Sequence, residues 1–321
     1  MKKLSSLLLI LLFTIGALAA CGEQKEPVED EANSSTEQKK EENAFPVTIK
    51  DALDNEVTIE AKPEKIVSVI PSNTEIAFAL GLGDEVVGVS NFDNYPKEVA
   101  SKEKIGDMEL NIEKIISLQP NLVLAHESTA DNGAEGLQQL RDAGITVLVI
   151  HDALNFEQVY ETIAMIGKAT GETKAAEELN TSMEDKLAEI KAKANEIKEK
   201  KKVFVEVSPA PEVFTTGKNT FMDEMIQLIN AENIANDQEG WVKMDQESII
   251  DRNPDVIITT YGFYTENAAE LVLSRQGWEN VNAIKNKQVI DVDSDTVTRS
   301  GPRIVEGVED LAKAVYPEVF K

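Results

Sequence analysis

EKIISLQPNLVLA, residues 113–125, recurs later in the chain as ESIIDRNPDVIIT, residues 247–259. Glu, Ile, Ile and Pro stand at the same offsets in both segments, and each segment ends in an apolar run. A short helix with an acid in its first turn, a proline-marked turn and a buried strand account for this pattern. The repeat therefore predicts two equivalent structural units, with Glu113 and Glu247 at equivalent positions.

Each glutamate has two interpretations at this level. It could simply complement the dipole of its own helix, which stabilises a helix by about 0.3 to 1 kcal/mol. It could instead belong to a paired functional surface. The residues alone leave both interpretations open.

Short β-rich runs alternate with helical patterns around both units, which is typical of α/β proteins. The first group has predicted strands at residues 66–70, 86–90, 122–125 and 146–150, and predicted helices at 73–80, 112–118 and 136–143. The second group has predicted strands at 203–207, 256–260 and 289–292, and predicted helices at 221–229 and 302–315. The length favours two Rossmann-like lobes, an N-terminal lobe at 46–171 and a C-terminal lobe at 203–321.

Residues 172–202 contain neither Gly nor Pro and are predicted to form one long helix between the lobes. Apolar residues recur at alternating spacings of four and three, as in a helix with one buried face. At 1.5 Å per residue such a helix would measure about 45 Å and could span both lobes. The alternative is a coiled-coil arm used for dimerisation.

The N-terminus indicates export and lipid attachment. Lys2 and Lys3 precede an apolar run at residues 7–20, which ends in Leu-Ala-Ala before Cys21, the single cysteine. The pattern predicts a signal peptide at 1–20 and is too short to span a bilayer as a helix. It resembles the lipobox of bacterial lipoproteins, whose cysteine carries the lipid. The alternative is an ordinary cleaved signal with an incidental cysteine.

Residues 21–45 are rich in acidic and polar side chains and are predicted to form a disordered tether. The chain is therefore expected to be extracytoplasmic, and anchored to the cell membrane through Cys21. Its formal net charge of −26 disfavours nucleic acid and anionic lipid surfaces as partners. The lobes are expected to act as a monomer.

Catalytic patterns are missing from the sequence. There is no Gly-x-Ser-x-Gly elbow, and the two histidines, His126 and His151, are too few for a three-histidine metal site. The sequence therefore predicts a non-enzyme with no cofactor and no bound metal. Each histidine follows a predicted strand, where α/β clefts hold ligands, and His126 is the better ligand candidate. For a lone histidine, a structural or solvated role is more common than a ligand-binding one.

The chain resembles the substrate-binding lipoproteins of ABC importers for cobalamin, haem and ferric siderophores. The resemblance covers about residues 65–317 and rests on the order of six short segments: PSNTEIAFALG (71–81), VGVSNFDNYP (87–96), NIEKI (111–115), PNLVLA (120–125), FTTGK (214–218) and RSGPRI (299–304). It implies two lobes joined by a stiff helix, with a ligand cleft between them. It also implies that Glu113 and Glu247 dock on a permease dimer that works with an ATPase.

The resemblance also implies ligand-binding residues. Phe92 and Trp241 match cleft aromatics of the family, and Asp295 matches an acid just before Arg299 and Arg303. Asp107 and His126 stand where the cobalamin-binding members have aromatic residues. Tyr261, Phe263 and Tyr264 could replace the aromatic surface lost at those two positions.

The predicted function is capture of cobalamin or a related corrinoid, followed by delivery to the permease. A ferric-siderophore or haem receptor of the same class is the first alternative, in which Arg299 and Arg303 would clamp an anionic cargo. An extracytoplasmic enzyme is the distant alternative.

Overall fold

The computed structural model describes residues 45–321. Cys21, the signal peptide at 1–20 and residues 21–44 of the predicted tether lie outside the described residues. An antiparallel hairpin, β1 (Val47–Lys50) and β2 (Glu56–Ile59), begins the described chain. It precedes the first of two parallel sheets.

The sheet of the N-terminal lobe has five parallel strands: β3 (Ile66–Ser68), β4 (Val86–Val89), β5 (Glu103–Lys104), β6 (Leu122–His126) and β7 (Thr146–Ile150). Their spatial order is β5-β4-β3-β6-β7. The connecting helices are α1 (Pro71–Ala79), α2 (Ile112–Leu118), α3 (Glu127–Asp142) and α4 (Phe156–Thr170), with a short 3-10 helix at Lys97–Ser101. The strands read as continuous apolar runs because helices cover both faces of the sheet.

A second parallel sheet forms the C-terminal lobe, in the order β10-β8-β12-β13, whose strands are β8 (Lys202–Glu206), β10 (Glu232–Asn233), β12 (Val256–Thr259) and β13 (Val289–Asp291). A separate antiparallel pair joins β9 (Phe214–Thr216) to β11 (Trp241–Lys243). The helices of this lobe are α6 (Phe221–Leu228), α7 (Gln246–Arg252), α8 (Ala268–Leu273), α9 (Asn282–Lys285), α10 (Ser294–Thr298) and α11 (Ile304–Val315). The predicted two-lobed α/β fold is confirmed.

The linking helix α5 (Thr173–Ala194) is shorter than the predicted helix at 172–202. At its end, the amide of Asn230 donates to the carbonyls of Ala194 and Ile197, at 3.3 Å and 3.2 Å, and so satisfies a carbonyl of the last turn that has no partner within the helix. At 1.5 Å per residue, α5 is about 33 Å long.

The apolar stripe of α5 packs inside the chain. Met183, Leu187 and Ile190 belong to a core cluster that includes Leu124 of the N-terminal sheet and Val205 of the C-terminal sheet. α5 contacts α4 of the N-terminal lobe, and α6 and α11 of the C-terminal lobe. This packing uses the surface that a coiled-coil arm would need, and it joins the two lobes through one continuous core.

The helix α3 begins earlier than predicted, at Glu127 rather than near residue 136. The ring of His126 accepts a hydrogen bond from the backbone N–H of Ser128 at 3.2 Å, which caps the first turn. Histidine is not among the residues usually preferred at this position. The sequence pattern therefore gave no signal for the earlier start.

The sequence repeat is also a structural repeat. The side chain of Asn111 caps α2 by accepting from Lys114 N, and that of Asp245 caps α7 by accepting from Ser248 N. Each helix ends in a left-handed residue, Gln119 or Asn253, just before the proline of the repeat. The two units then enter the parallel strands β6 and β12.

Candidate functional site

The carboxyl ends of both sheets face one gap between the lobes. On one side of this gap the Asn94 amide, in the loop after β4, donates to Asp295, in the helix after β13, at 2.7 Å. On another side, a cavity of about 470 Å³ lies between Leu154 and Gln158 of one lobe and Lys218 of the other. Ligands of α/β proteins bind outside the carboxyl ends of the strands. The gap is therefore the candidate ligand cleft.

Large aromatic side chains in segments beside this cleft are unusually exposed. Phe92 and Tyr95 follow β4 and are 53% and 44% exposed, and Trp241 on β11 is 47% exposed. Phe263 and Tyr264 follow β12 and are 76% and 57% exposed. A concentration of exposed aromatics at one edge of a fold is typical of a binding surface.

A polar network crosses between the lobes beside these aromatics. Glu75 of α1, whose side chain is 2% exposed, accepts from Arg299 at 3.0 Å and from Arg303 at 2.7 Å. Arg299 also contacts Asp295 at 2.8 Å, while the guanidinium of Arg303 stacks on the Tyr95 ring at 4.1 Å. Two positive charges are thus matched by two carboxylates.

The pKa of Arg303 reflects this pairing. Burial by itself would lower this pKa, but the hydrogen bonds and charge of Glu75 raise it above its ordinary value. Arg303 therefore stays charged and held by Glu75. Glu75 was not predicted as a site residue, although an acid inside an otherwise apolar helix pattern is a signal that could have found it.

The loop that carries Phe92 and Tyr95 is held by hydrogen bonds to Asp93 and Lys104. The buried carboxylate of Asp93 accepts from the Ser90 hydroxyl at 2.6 Å, and Lys104 Nζ donates to the carbonyls of Ser90 and Asp93 at 3.1 Å and 3.0 Å. Burial raises the pKa of Asp93, which these hydrogen bonds and Lys104 oppose. These contacts fix the conformation of the loop.

His126 lies at the end of β6 and its side chain is almost fully buried. Its Nδ1 lies 2.8 Å from the Ser128 hydroxyl, and its Nε2 lies 4.0 Å from Asp152. Burial lowers the pKa of His126, while the charges of Asp152 and Glu127 partly oppose the shift. Among residues 45–321, His, Cys, Asp and Glu form no group of three that could hold a metal ion.

Tyr261 is fully buried and does not line the cleft surface. Its hydroxyl donates to Glu206 at 2.6 Å, and Glu206 also receives two hydrogen bonds from Arg275, at 2.8 Å and 2.7 Å. Burial and the neighbouring Glu206 carboxylate raise the pKa of Tyr261. The exposed aromatics of this segment are Phe263 and Tyr264.

The other predicted ligand residues divide into exposed and engaged groups. Phe92 and Trp241 present free aromatic surface, and Asp107 is exposed in a turn where it accepts from the N–H of Glu109 at 3.3 Å. Asp295 and Arg299 are engaged with each other across one helical turn. The positions of Asn94 and Tyr95 depend on contacts with the other lobe, which local sequence could not reveal.

Glu113 and Glu247 occupy matching places on the outer layers of the two lobes. Both are exposed, in the first turns of α2 and α7. Each helix runs antiparallel to the strand that follows it, so its N-terminus lies at the same edge as the strands' carboxyl ends. Lys114, the neighbour of Glu113, pairs with Glu103 at 2.7 Å instead. Each lobe therefore presents one exposed acid near the carboxyl-end edge of its sheet.

The family model described as "Periplasmic binding protein" matches residues 66–296, nearly all of both lobes. The chain belongs to the periplasmic binding protein family. An uncharacterised ABC transporter substrate-binding lipoprotein of Bacillus subtilis is 52% identical over the full length of both chains. A cobalamin-binding protein of Halobacterium salinarum is 29% identical, with 85% of this chain and 75% of that protein covered.

A solved structure from Staphylococcus epidermidis, described as a possible iron-binding (periplasmic solute-binding) protein, is similar in fold and sequence. It is 40% identical, with a TM-score of 0.74, and 80% of this chain and 100% of that chain are covered. As a member of this family, the chain is a substrate-binding component of an ABC transporter, and its relatives are binding proteins rather than enzymes.

Within the described residues, no helix combines the length and apolar character needed to cross a bilayer. The relative from Bacillus subtilis is a lipoprotein, and an extracytoplasmic location follows for a substrate-binding protein of this family.

Proposed function

We propose that this protein captures a corrinoid, such as cobalamin, in the cleft between its lobes and delivers it to an ABC permease. The observation that carries the proposal is the pairing of Arg299 and Arg303 with Glu75 beside exposed aromatic rings. A corrinoid is broad and flat and carries neutral amide groups at its edge. Aromatic walls beside arginines that are already paired with carboxylates suit such a molecule better than they suit an anionic cargo.

An iron complex is the second candidate cargo. The relative from Staphylococcus epidermidis is described as possibly iron-binding and is 40% identical to this chain. A haem or an anionic ferric siderophore would bring carboxylates or other anionic groups into the cleft. Arg299 and Arg303 could clamp such groups only if their ion pairs with Glu75 and Asp295 were exchanged, which carries a desolvation cost.

A titration of the purified protein tests the cargo. Isothermal titration calorimetry with hydroxocobalamin, haemin and a ferric siderophore avoids interference from the absorbance of these molecules. The proposal expects saturable binding of hydroxocobalamin that weakens by about tenfold or more in Trp241→Ala, because truncating a buried interface aromatic commonly costs this much. Binding of an iron complex without binding of hydroxocobalamin would reject the corrinoid.

Glu113 and Glu247 dock the loaded protein on its permease in this proposal. The equivalent positions of two exposed acids suit a permease with two equivalent halves. In reconstituted vesicles that contain the permease and its ATPase, Glu113→Arg combined with Glu247→Arg is expected to lower uptake by at least about tenfold. Cargo affinity should stay unchanged because neither side chain lies in the cleft.

The matched control places the same charge change elsewhere. Glu177→Arg combined with Asp185→Arg alters two exposed acids of α5 and is expected to leave uptake intact. Equal losses in both double variants would indicate a general charge effect and would count against docking through Glu113 and Glu247.

We also propose that Cys21 carries the lipid anchor and that residues 21–45 form the tether. Cys21→Ser should release the protein from the membrane fraction and abolish incorporation of a labelled fatty acid. Two acyl chains are sufficient for stable anchoring. Retention of labelled protein in the membrane after this substitution would exclude Cys21 as the attachment site.

A further inference from the structure

Phe263 and Tyr264 form the most exposed aromatic pair at the cleft edge. Their rings meet edge to face, with centroids 4.7 Å apart, and they are 76% and 57% exposed. They follow the central strand β12 at its carboxyl end, where its neighbours β8 and β13 also end. An exposed pair of this kind offers a large apolar surface with few rotatable bonds.

A buried hydrogen-bond network begins at Tyr261, two residues before this pair. Tyr261 donates to Glu206 at 2.6 Å, and Arg275 binds both oxygens of Glu206. Arg275 also stacks on the buried ring of Trp278 at 4.5 Å. The carboxylate is thus fully desolvated and held by three hydrogen bonds, which is a rigid arrangement.

The backbone between Tyr261 and the pair is fixed by a second anchor. The N–H of Gly262 donates to Asp291 at 3.1 Å, and a Cβ on Gly262 would lie 1.9 Å from an Asp291 carboxylate oxygen. The carbonyl of Tyr261 accepts from the N–H groups of Tyr264 and Thr265, at 3.2 Å and 3.0 Å. The turn therefore has little room for another conformation.

We infer that Phe263 and Tyr264 are cargo-contacting residues and that Tyr261, Glu206 and Arg275 are the positioning residues that hold this aromatic wall in place. The inference rests on the proposed capture of a flat cargo in the cleft. Holding exposed aromatics in one arrangement before binding reduces the ordering cost of association. The buried network sets the affinity of the cleft without touching the cargo.

A double-mutant cycle measured by calorimetry with hydroxocobalamin and with haemin tests the inference. Phe263→Ala combined with Tyr264→Ala should weaken binding of the preferred probe by about tenfold or more. Tyr261→Phe, which removes one hydroxyl, should weaken it by about three- to tenfold. In the background that lacks both aromatic rings, Tyr261→Phe should have almost no further effect, because it acts through those rings.

Tyr316→Phe is the matched control. Tyr316 is also buried, and its hydroxyl accepts from Lys201 N at 2.9 Å and donates to the Asn230 carbonyl at 3.0 Å, at the far end of the C-terminal lobe. Loss of the Tyr316 hydroxyl should lower stability without changing the affinity for either probe.

Hydrogen exchange of the unliganded protein supplies a readout that needs no cargo. Tyr261→Phe should accelerate exchange over residues 261–267, whereas Tyr316→Phe should not.

Together, these measurements distinguish failure of the inference from failure of the proposed function on which it rests. Wild-type binding with unchanged affinity in the variant without the two rings would overturn the inference and leave the proposed function standing. Unchanged exchange over residues 261–267 in Tyr261→Phe, or additive effects in the cycle, would remove the positioning role. Failure of the wild-type protein to bind either probe would overturn both.

Discussion

His126 illustrates how burial changes what a side chain at the cleft edge does. As a sequence pattern it was a candidate ligand residue, but its ring is used to cap α3 and to contact Ser128. Burial also disfavours its charged form. In the structure the residue contributes to the conformation of the cleft edge and keeps a neutral ring beside Asp152.

The stability of the protein should depend on pH through His126. Its pKa is lower in the folded chain than in the unfolded chain, so the unfolded state takes up a proton on this ring at a higher pH than the folded state does. The contribution to stability is full above about pH 6.5 and is lost as the pH falls through that value, until the folded-state pKa is reached.

Chemical denaturation at about pH 7.5 and about pH 5.5 measures this effect. The wild-type protein should lose more stability between the two than His126→Asn, whose amide can still cap α3. Identical pH dependence in wild-type protein and His126→Asn would contradict the assignment.

Among the acids of the interlobe network, substitution of Glu75 is expected to lower the stability of the protein most. Glu75→Gln leaves the guanidinium of Arg303 without its ion-pair partner, whereas Arg299 keeps Asp295. Breaking a buried ion pair in this way costs about 3 to 5 kcal/mol. Asp237→Asn breaks the surface pair with Arg252 and should have a much smaller effect, since solvent screens that pair. The measurement is the free energy of unfolding in urea; equal losses would show that burial does not strengthen the network.

At the scale of elements, the crossing of α4 and α5 depends on a close backbone approach. Gly167 of α4 faces Ala176 of α5, and a Cβ on Gly167 would lie 2.5 Å from the Ala176 Cβ. The N–H of Glu172 also donates to the Gly167 carbonyl at 2.7 Å. This contact sets where the linking helix leaves the N-terminal lobe.

Gly167→Ala should force the two helices apart and destabilise the protein by about 1 to 3 kcal/mol, as overpacked sites do. Gly133→Ala is the control, because a Cβ at this position of α3 meets no atom within 4 Å. That substitution should be neutral or stabilise by up to about 1 kcal/mol, since alanine loses less backbone entropy in a helix. A destabilisation shared by both variants would rule out the crossing as the cause.

At the scale of the whole molecule, the shared core predicts that both lobes unfold together. One cluster contains residues of both sheets and of α5, and the Glu75 network adds a second connection between the lobes. Opening one lobe would expose apolar surface of the other. The lobes should therefore behave as one cooperative unit.

Fluorescence and circular dichroism together test this cooperativity. Both tryptophans, Trp241 and Trp278, lie in the C-terminal lobe, so their fluorescence reports on that lobe, whereas far-ultraviolet dichroism reports on both lobes. The two thermal transitions should coincide. An earlier fluorescence transition, with much of the dichroism retained, would show that the lobes unfold separately.

Much of this fold is determined by short stretches of sequence. The repeat around Glu113 and Glu247, the alternation of strands and helices, and the apolar stripe of α5 are local patterns, because periodicity and capping act within a few residues. They were sufficient to predict the longer strands of both sheets, the linking helix and the equivalence of the two acids, but not the two-residue edge strands β5 and β10. The repeated helix–turn–strand unit is found where the sequence predicted it.

Only the tertiary structure decided which polar side chains pair with each other and which remain free to contact a ligand. Glu75 and Arg303 are separated by 228 positions in the chain, and the pair between Tyr261 and Glu206 also joins distant segments. Whether such groups meet, and how strongly, depends on burial and on the packing of one lobe against the other. Sequence therefore determined the two-lobed architecture. Long-range packing determined that Arg299 and Arg303 are paired with carboxylates, that Tyr261 is buried and that Phe263 and Tyr264 are exposed.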